Sequence, residues 1–104
     1  MLTITHGRGF QMKFPNGVIA SVQWGTANYC DRSSFNIYDY GIEMKTEMWE
    51  SPNAEVAAWL DNDNGVRRNW VTRDLYPDDD YNDDVIARLD VTAVMDFLNR
   101  CQNF

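Results

Sequence analysis

The sequence predicts an α+β domain: an antiparallel β-sheet built from hairpins, with one C-terminal amphipathic helix packed on it. Three observations carry this. Apolar residues alternate with period two through the N-terminal half, Asn-Gly turns stand between alternating runs, and a helical apolar period appears near the C-terminus. With 104 residues, 44% of them hydrophobic, the chain is expected to fold as a single domain, residues 1–104, around its own core.

Leu2 and Ile4 alternate with Thr3 and Thr5, as a short first strand requires. Phe10, Met12 and Phe14 then alternate with Gln11 and Lys13, and Val18, Ala20, Val22 and Trp24 with Ile19, Ser21 and Gln23. Pro15-Asn16-Gly17 joins these two runs, and Asn-Gly tolerates the positive φ angles of a tight turn, so a β-hairpin is expected.

From Gly25 to Gly41 turn-forming residues mix with Tyr29, Phe35, Tyr38 and Tyr40, more aromatics than a passive connector needs. Alternation resumes over 42–49, where Ile42, Met44 and Met48 oppose Glu43, Lys45 and Glu47. Residues 51–72 read two ways. Ser51-Pro52 with Ala54, Ala57 and Ala58 can open a helix, yet Asp61-Asn62-Asp63-Asn64-Gly65 turns the chain before three helical turns are complete. A second hairpin, 54–60 with 66–72, is preferred. Val91, Val94, Met95, Phe97 and Leu98 then recur at helical spacing, predicting a helix over about 91–102 with Asp90 or Thr92 at its start.

The net charge is −7, and its placement is uneven. Between residues 74 and 96 eight aspartates face Arg88 alone, so this segment holds the whole imbalance of the chain. Such a surface repels a nucleic-acid backbone or an anionic membrane, which excludes direct binding of either there. The apolar runs are far shorter than the ~20 residues of a membrane span, and the MLTITHGRGF start has no signal-peptide core, so a cytoplasmic location is expected. In that compartment Cys30 and Cys101 are expected to be two reduced thiols.

No motif for catalysis or a cofactor stands out. Asp78, Asp80, Asn82 and Asp84 follow the alternate spacing of a calcium loop, but Asp83 occupies the position that needs glycine and Leu89 the position that needs glutamate. His6 is the single histidine, without neighbours at zinc-ligand spacing. Gly7-Arg8-Gly9 lacks the strand and helix of a phosphate-binding loop. Neither catalytic residues, nor a metal, nor a cofactor is therefore expected.

Two surfaces remain as candidates. Asp78, Asp79, Asp80, Asp83 and Asp84 place five carboxylates within seven residues, either a solvated acidic loop or one that mimics phosphates toward a basic, nucleic-acid-binding groove of a partner protein. Tyr29, Tyr38 and Tyr40 would supply apolar anchors for such an interface, since tyrosine offers contact area at low entropic cost. In the alternative, Arg67, Arg68 and Arg73 with Trp70 hold a small anionic nucleotide by ion pairing and stacking, although the arginines also serve to balance the adjacent aspartates. A structural module of a larger assembly is a third possibility, and the sequence sets no oligomeric state.

Residues 9–31, GFQMKFPNGVIASVQWGTANYCD, resemble the N-terminal half of small uncharacterised phage, prophage and bacterial proteins that share a Gly-Phe strand, an Asn-Gly turn, a Ser-Val-Gln strand and an Asn-Tyr-Cys sequence. Ala54-Glu55-Val56-Ala57-Ala58-Trp59 and the closing helix extend the resemblance over most of the chain, whereas the acidic stretch 74–84 departs from it. The resemblance implies no chemistry. It implies a setting, the cytoplasm of a phage host, in which small acidic proteins bind and inhibit host proteins as anti-defence factors.

Overall fold

The computed structural model describes residues 1–5, 8–25, 30, 50–61 and 69–104. Strands β1 (Leu2–Ile4), β2 (Gly9–Lys13), β3 (Val18–Gln23) and β4 (Asn53–Leu60) lie side by side in that order, each antiparallel to the next. The far edge of β4 is divided between two partners. β5 (Asn69–Trp70) pairs with Leu60 and Trp59, while β6 (Val85–Asp90) pairs along Asn53 to Ala57. β6 runs directly into helix α1 (Val91–Gln102), which packs on β3, β4 and β6. Among the described residues the architecture is thus α+β, a six-stranded antiparallel sheet with a C-terminal helix.

The alternation in the sequence sets which face α1 covers. In register, Phe10, Val22 and Val56 line up across three strands, as do Met12, Ala20 and Ala58. Val18, Ala20, Val22, Ala54, Val56, Ala58 and Ile86 form the buried centre of this face, and α1 adds Phe97 and Cys101, both without exposed surface. Burying a side chain of Phe97's size contributes about 2–3 kcal/mol. Among the described residues no helix is long and apolar enough to cross a membrane. Cys30 and Cys101 are both buried free thiols, and the backbone amide of Gly25 donates to the Cys30 sulfur at 3.2 Å.

The first hairpin forms where expected, through a different turn. Gly17 N–H donates to the Phe14 carbonyl at 3.0 Å and Phe14 N–H to the Val18 carbonyl at 2.9 Å, enclosing a three-residue loop. Positive φ falls on Gly17 alone, at 88°, and Asn16 keeps a negative φ. Pro15 pre-sets the first corner, so Asn16 needs no left-handed backbone. Gly9 is required for another reason: an added Cβ would lie 2.1 Å from the Val22 carbonyl oxygen, a backbone atom that cannot move aside.

Residues 53–60 are a strand, and the short helix does not form. Both faces of β4 are buried, with Ala54, Val56 and Ala58 toward α1 and Ala57 and Trp59 on the reverse, so packing overrides the helical preference of the alanines. The expected partner strand 66–72 is corrected. Among the described residues Asn69 and Trp70 pair, while Val71 and Thr72 leave the strand and lead into a 3-10 turn at Arg73–Leu75; 62–68 lie outside the described residues, as does the strand expected over 42–49. Buried Thr72 explains how the ladder ends. Its hydroxyl accepts from the Ala58 amide at 2.9 Å and donates to the Ala58 carbonyl at 3.1 Å, completing the edge of β4 between β5 and β6 with a side chain.

β6 itself corrects the expectation that the acidic segment runs as a loop up to the helix. Between Ala54–Leu89 and Val56–Ile86 the register shifts, so Ala87 and Arg88 oppose Glu55 alone. Arg88 takes a left-handed φ of 57°. This bulge turns both Ile86 and Leu89 toward α1, and their three-residue separation hides the strand's period of two.

Candidate protein-interaction site

The acidic loop is held at its start by apolar anchors and by α1. After the 3-10 turn, Leu75 and Tyr76 are buried in the core. Arg100 of α1 reaches back to this point, donating to the Leu75 carbonyl at 2.8 Å and placing its guanidinium 4.3 Å from the centre of the Tyr76 ring. Asp96, one helical turn before Arg100, accepts from its Nε at 2.8 Å and so fixes the guanidinium. Burial, with the Asp96 charge behind it, pushes the Tyr76 phenol up to about 12, so the ring stays neutral against Arg100.

From Tyr76 the chain turns with Asp79 N–H donating to the Tyr76 carbonyl at 3.1 Å. Tyr81 folds back edge-on against Tyr76, ring centres 5.3 Å apart, and keeps 40% of its surface exposed. The loop ends as Val85 N–H donates to the Asp83 carboxylate at 3.4 Å and β6 begins. Both ends are therefore tied to the sheet and helix.

This geometry sorts the eight aspartates of 74–96, of which exposed Asp74 lies in the 3-10 turn. Asp90 caps α1 by accepting from the Ala93 amide at 2.8 Å, Asp96 holds Arg100, and half-buried Asp84 lies 3.5 Å from the Arg73 guanidinium. Asp78, Asp79, Asp80 and Asp83 are exposed and share one loop with Tyr81. Of the five carboxylates singled out in the sequence, four thus face solvent and Asp84 is engaged inward. Asp78, Asp80, Asn82 and Asp84 do not converge: among the described residues no three His, Cys, Asp or Glu side chains gather where they could hold a metal ion. Tyr29, Tyr38 and Tyr40 lie outside the described residues.

The arginine cluster divides in the same way. Arg67 and Arg68 lie outside the described residues, and Arg73 turns to Asp84. Trp70 packs edge-on against Trp59 at 5.6 Å on the sheet face away from α1. There the two indoles border a cavity of about 270 Å³ whose one charged residue, among the described residues lining it, is Glu55. A second cavity of about 310 Å³ lies between α1 and the sheet, bordered by Phe10, Trp24, Leu89, Val94, Met95 and Leu98, and is almost wholly apolar.

Sequence reasoning missed the Tyr76–Arg100–Asp96 support of the loop. The four-residue spacing of Asp96 and Arg100 was the available signal, but nothing local placed Tyr76 beneath them. No protein-family model, no curated protein and no solved structure matches the chain.

Proposed function

We propose that this protein is a non-enzymatic interaction protein whose acidic loop docks on a basic, nucleic-acid-binding surface of a partner protein and blocks it. One observation carries the reading: Asp78, Asp79, Asp80 and Asp83 are exposed around the partly exposed Tyr81 on a loop anchored at both ends. Like charges so close together repel one another, and a cationic surface that meets them relieves that repulsion. Anchoring lowers the entropy lost when the loop is captured, and Tyr81 supplies an aromatic centre inside a charged rim. The resemblance of residues 9–31 to phage and prophage proteins suggests a host cytoplasmic partner, with the protein acting as an anti-defence inhibitor and nucleic-acid mimic.

The test replaces Asp78, Asp79, Asp80, Asp83 and Asp84 by asparagine and compares capture of host proteins by both forms. Screening shortens from ~10 Å at 0.1 M salt to ~3 Å at 1 M, so binding to the wild type is expected at low salt and lost at high salt. The five-asparagine variant, shown by its melting curve to be folded, is expected to capture nothing at either. Equal capture of the same basic protein by both forms would overturn the proposal.

A further inference from the structure

We propose that the outer edge of β1 is a self-association surface, on which a second copy of this chain pairs its own β1 antiparallel across a two-fold axis. The backbone of β1 alternates its direction. Met1 exchanges hydrogen bonds with Lys13, and Thr5 N–H donates to the Gly9 carbonyl, so residues 1 and 5 point their amides and carbonyls toward β2. Leu2 and Ile4, at the intervening positions, point theirs outward from the sheet. Their side chains are 73% and 81% exposed. They lie on the face that α1 covers further along the sheet, in register with Met12 and Phe10.

Among the described residues nothing protects this edge beyond its shortness. It carries no proline, no bulge and no charged side chain, and so presents both open hydrogen-bonding groups and apolar surface. The segment is also self-complementary. With the axis at Thr3, Leu2 faces Ile4 of the second copy and Ile4 faces its Leu2, and the outward amides and carbonyls of both pairs meet to form four hydrogen bonds. Leu2 and Ile4 from both copies then cover one another on one face.

Charge selects a second copy as the occupant. The aspartate-rich loop leads into β6, beyond β4 and at the opposite side of the sheet from β1. Among the described residues, the one charged side chain on β1 and β2 is Lys13, which is paired with Asp61. At about 4.8 Å between strands, pairing through β1 leaves the two acidic loops about 40 Å apart, several times the screening length of ~8 Å at physiological salt. Two molecules of net charge −7 can therefore meet at β1 with little repulsion, while any approach through the β6 side brings the loops together.

Equilibrium sedimentation over about 1 µM to 1 mM provides the first test, a range set by the small area of a three-residue strand pair. The wild type is expected to pass from monomer to twice the monomer mass. Ile4→Pro, which removes an outward amide and no bond to β2, and the double variant Leu2→Lys/Ile4→Lys are expected to stay monomeric with an unchanged circular dichroism spectrum. Thr3→Cys adds a positive readout, because in this register the Thr3 pair is close and not hydrogen-bonded, a geometry that admits a disulfide. It is expected to give a covalent dimer on mild oxidation, whereas Thr92→Cys, exposed on α1, is not. A wild type that stays monomeric to 1 mM, a dimer that survives both β1 variants, or absence of the Thr3→Cys dimer would each overturn the proposal. In the first case the edge is left to a strand of some other protein.

Discussion

The side-chain amide of Asn16 donates to the carbonyl oxygen of Cys101 at 2.9 Å, joining a hairpin turn to the end of a helix 85 positions away. The same amide lies 3.3 Å from the Gln102 carbonyl, and the Asn16 carbonyl oxygen accepts from the Val18 amide at 3.0 Å. One side chain thus closes the turn with its oxygen and satisfies carbonyls at the C-terminus of α1 with its nitrogen. Asn16→Asp retains the acceptor, removes the donor and sets a negative charge against the negative end of the helix dipole. A loss of about 1–2 kcal/mol is expected in urea unfolding at pH 7. Asn16→Asp with wild-type stability would show that the helix end is satisfied by water instead.

How far such features were legible depends on the range of the interaction that creates them. Phe10 to Trp24 declare a hairpin because alternation and turn lie within fifteen residues, and Val91 to Leu98 declare a helix for the same reason. The second role of Asn16 was invisible, since its partner is remote and a turn already accounts for an asparagine there. β6 was hidden by its bulge: Ile86 and Leu89 both turn inward at a spacing that no regular strand gives. The cluster of aspartates stood out by composition, but only the fold separates Asp84, Asp90 and Asp96, which hold other residues, from Asp78, Asp79, Asp80 and Asp83.

Thr72 offers a test of the side chain that replaces a strand. Its hydroxyl is the acceptor for the Ala58 amide, and the site has no exposed surface. Thr72→Val preserves shape but leaves that amide without its partner, and a loss of about 1–3 kcal/mol is expected. Thr72→Ser keeps the hydroxyl and should lose less, mainly the packing of one methyl group. Denaturant midpoints in the order wild type, serine, valine would support this role; a valine variant more stable than the serine one would refute it.

Alkaline pH should weaken the fold through two buried groups. Burial pushes the Cys101 thiol from 9.0 up to about 12, and the Tyr76 phenol rises from 10.0 to about 12 by burial and the nearby Asp96 charge. Between these limits the unfolded chain releases protons that the folded chain retains. Stability is therefore full below pH 9 and falls as pH rises toward 12. The thiol titrates first in the unfolded chain, so the window from pH 9 to 10 belongs mainly to Cys101. Urea midpoints across that window should fall more steeply for the wild type than for Cys101→Ala, by up to about 1.4 kcal/mol per pH unit. Parallel curves would mean that the thiol ionises as freely in the folded protein as in the unfolded one.

Arg88 carries the conformational cost of the β6 bulge. Its left-handed φ of 57° brings Cβ against the following carbonyl, a strain of about 1–2 kcal/mol that glycine escapes. Glycine in turn gives up about 0.5–1 kcal/mol in backbone entropy, together with the contacts of the arginine side chain. Arg88→Gly is therefore expected to change stability by less than about 1 kcal/mol. Arg88→Val is different, because a β-branched side chain is the least tolerant of this conformation. If the bulge persists, the valine variant should be the less stable of the two by more than about 1 kcal/mol. Deleting Ala87 probes the same device from the other side: Arg88 alone then opposes Glu55, and Ile86 and Leu89, now two positions apart, share one face of a regular strand opposite Val56 and Ala54. That deletion should keep both side chains toward α1, relieve the left-handed φ of Arg88 and leave the unfolding midpoint within about 1–2 kcal/mol of the wild type. A loss well beyond about 2 kcal/mol would show that the bulge itself, and not only the facing of Ile86 and Leu89, is needed where β6 leads into α1.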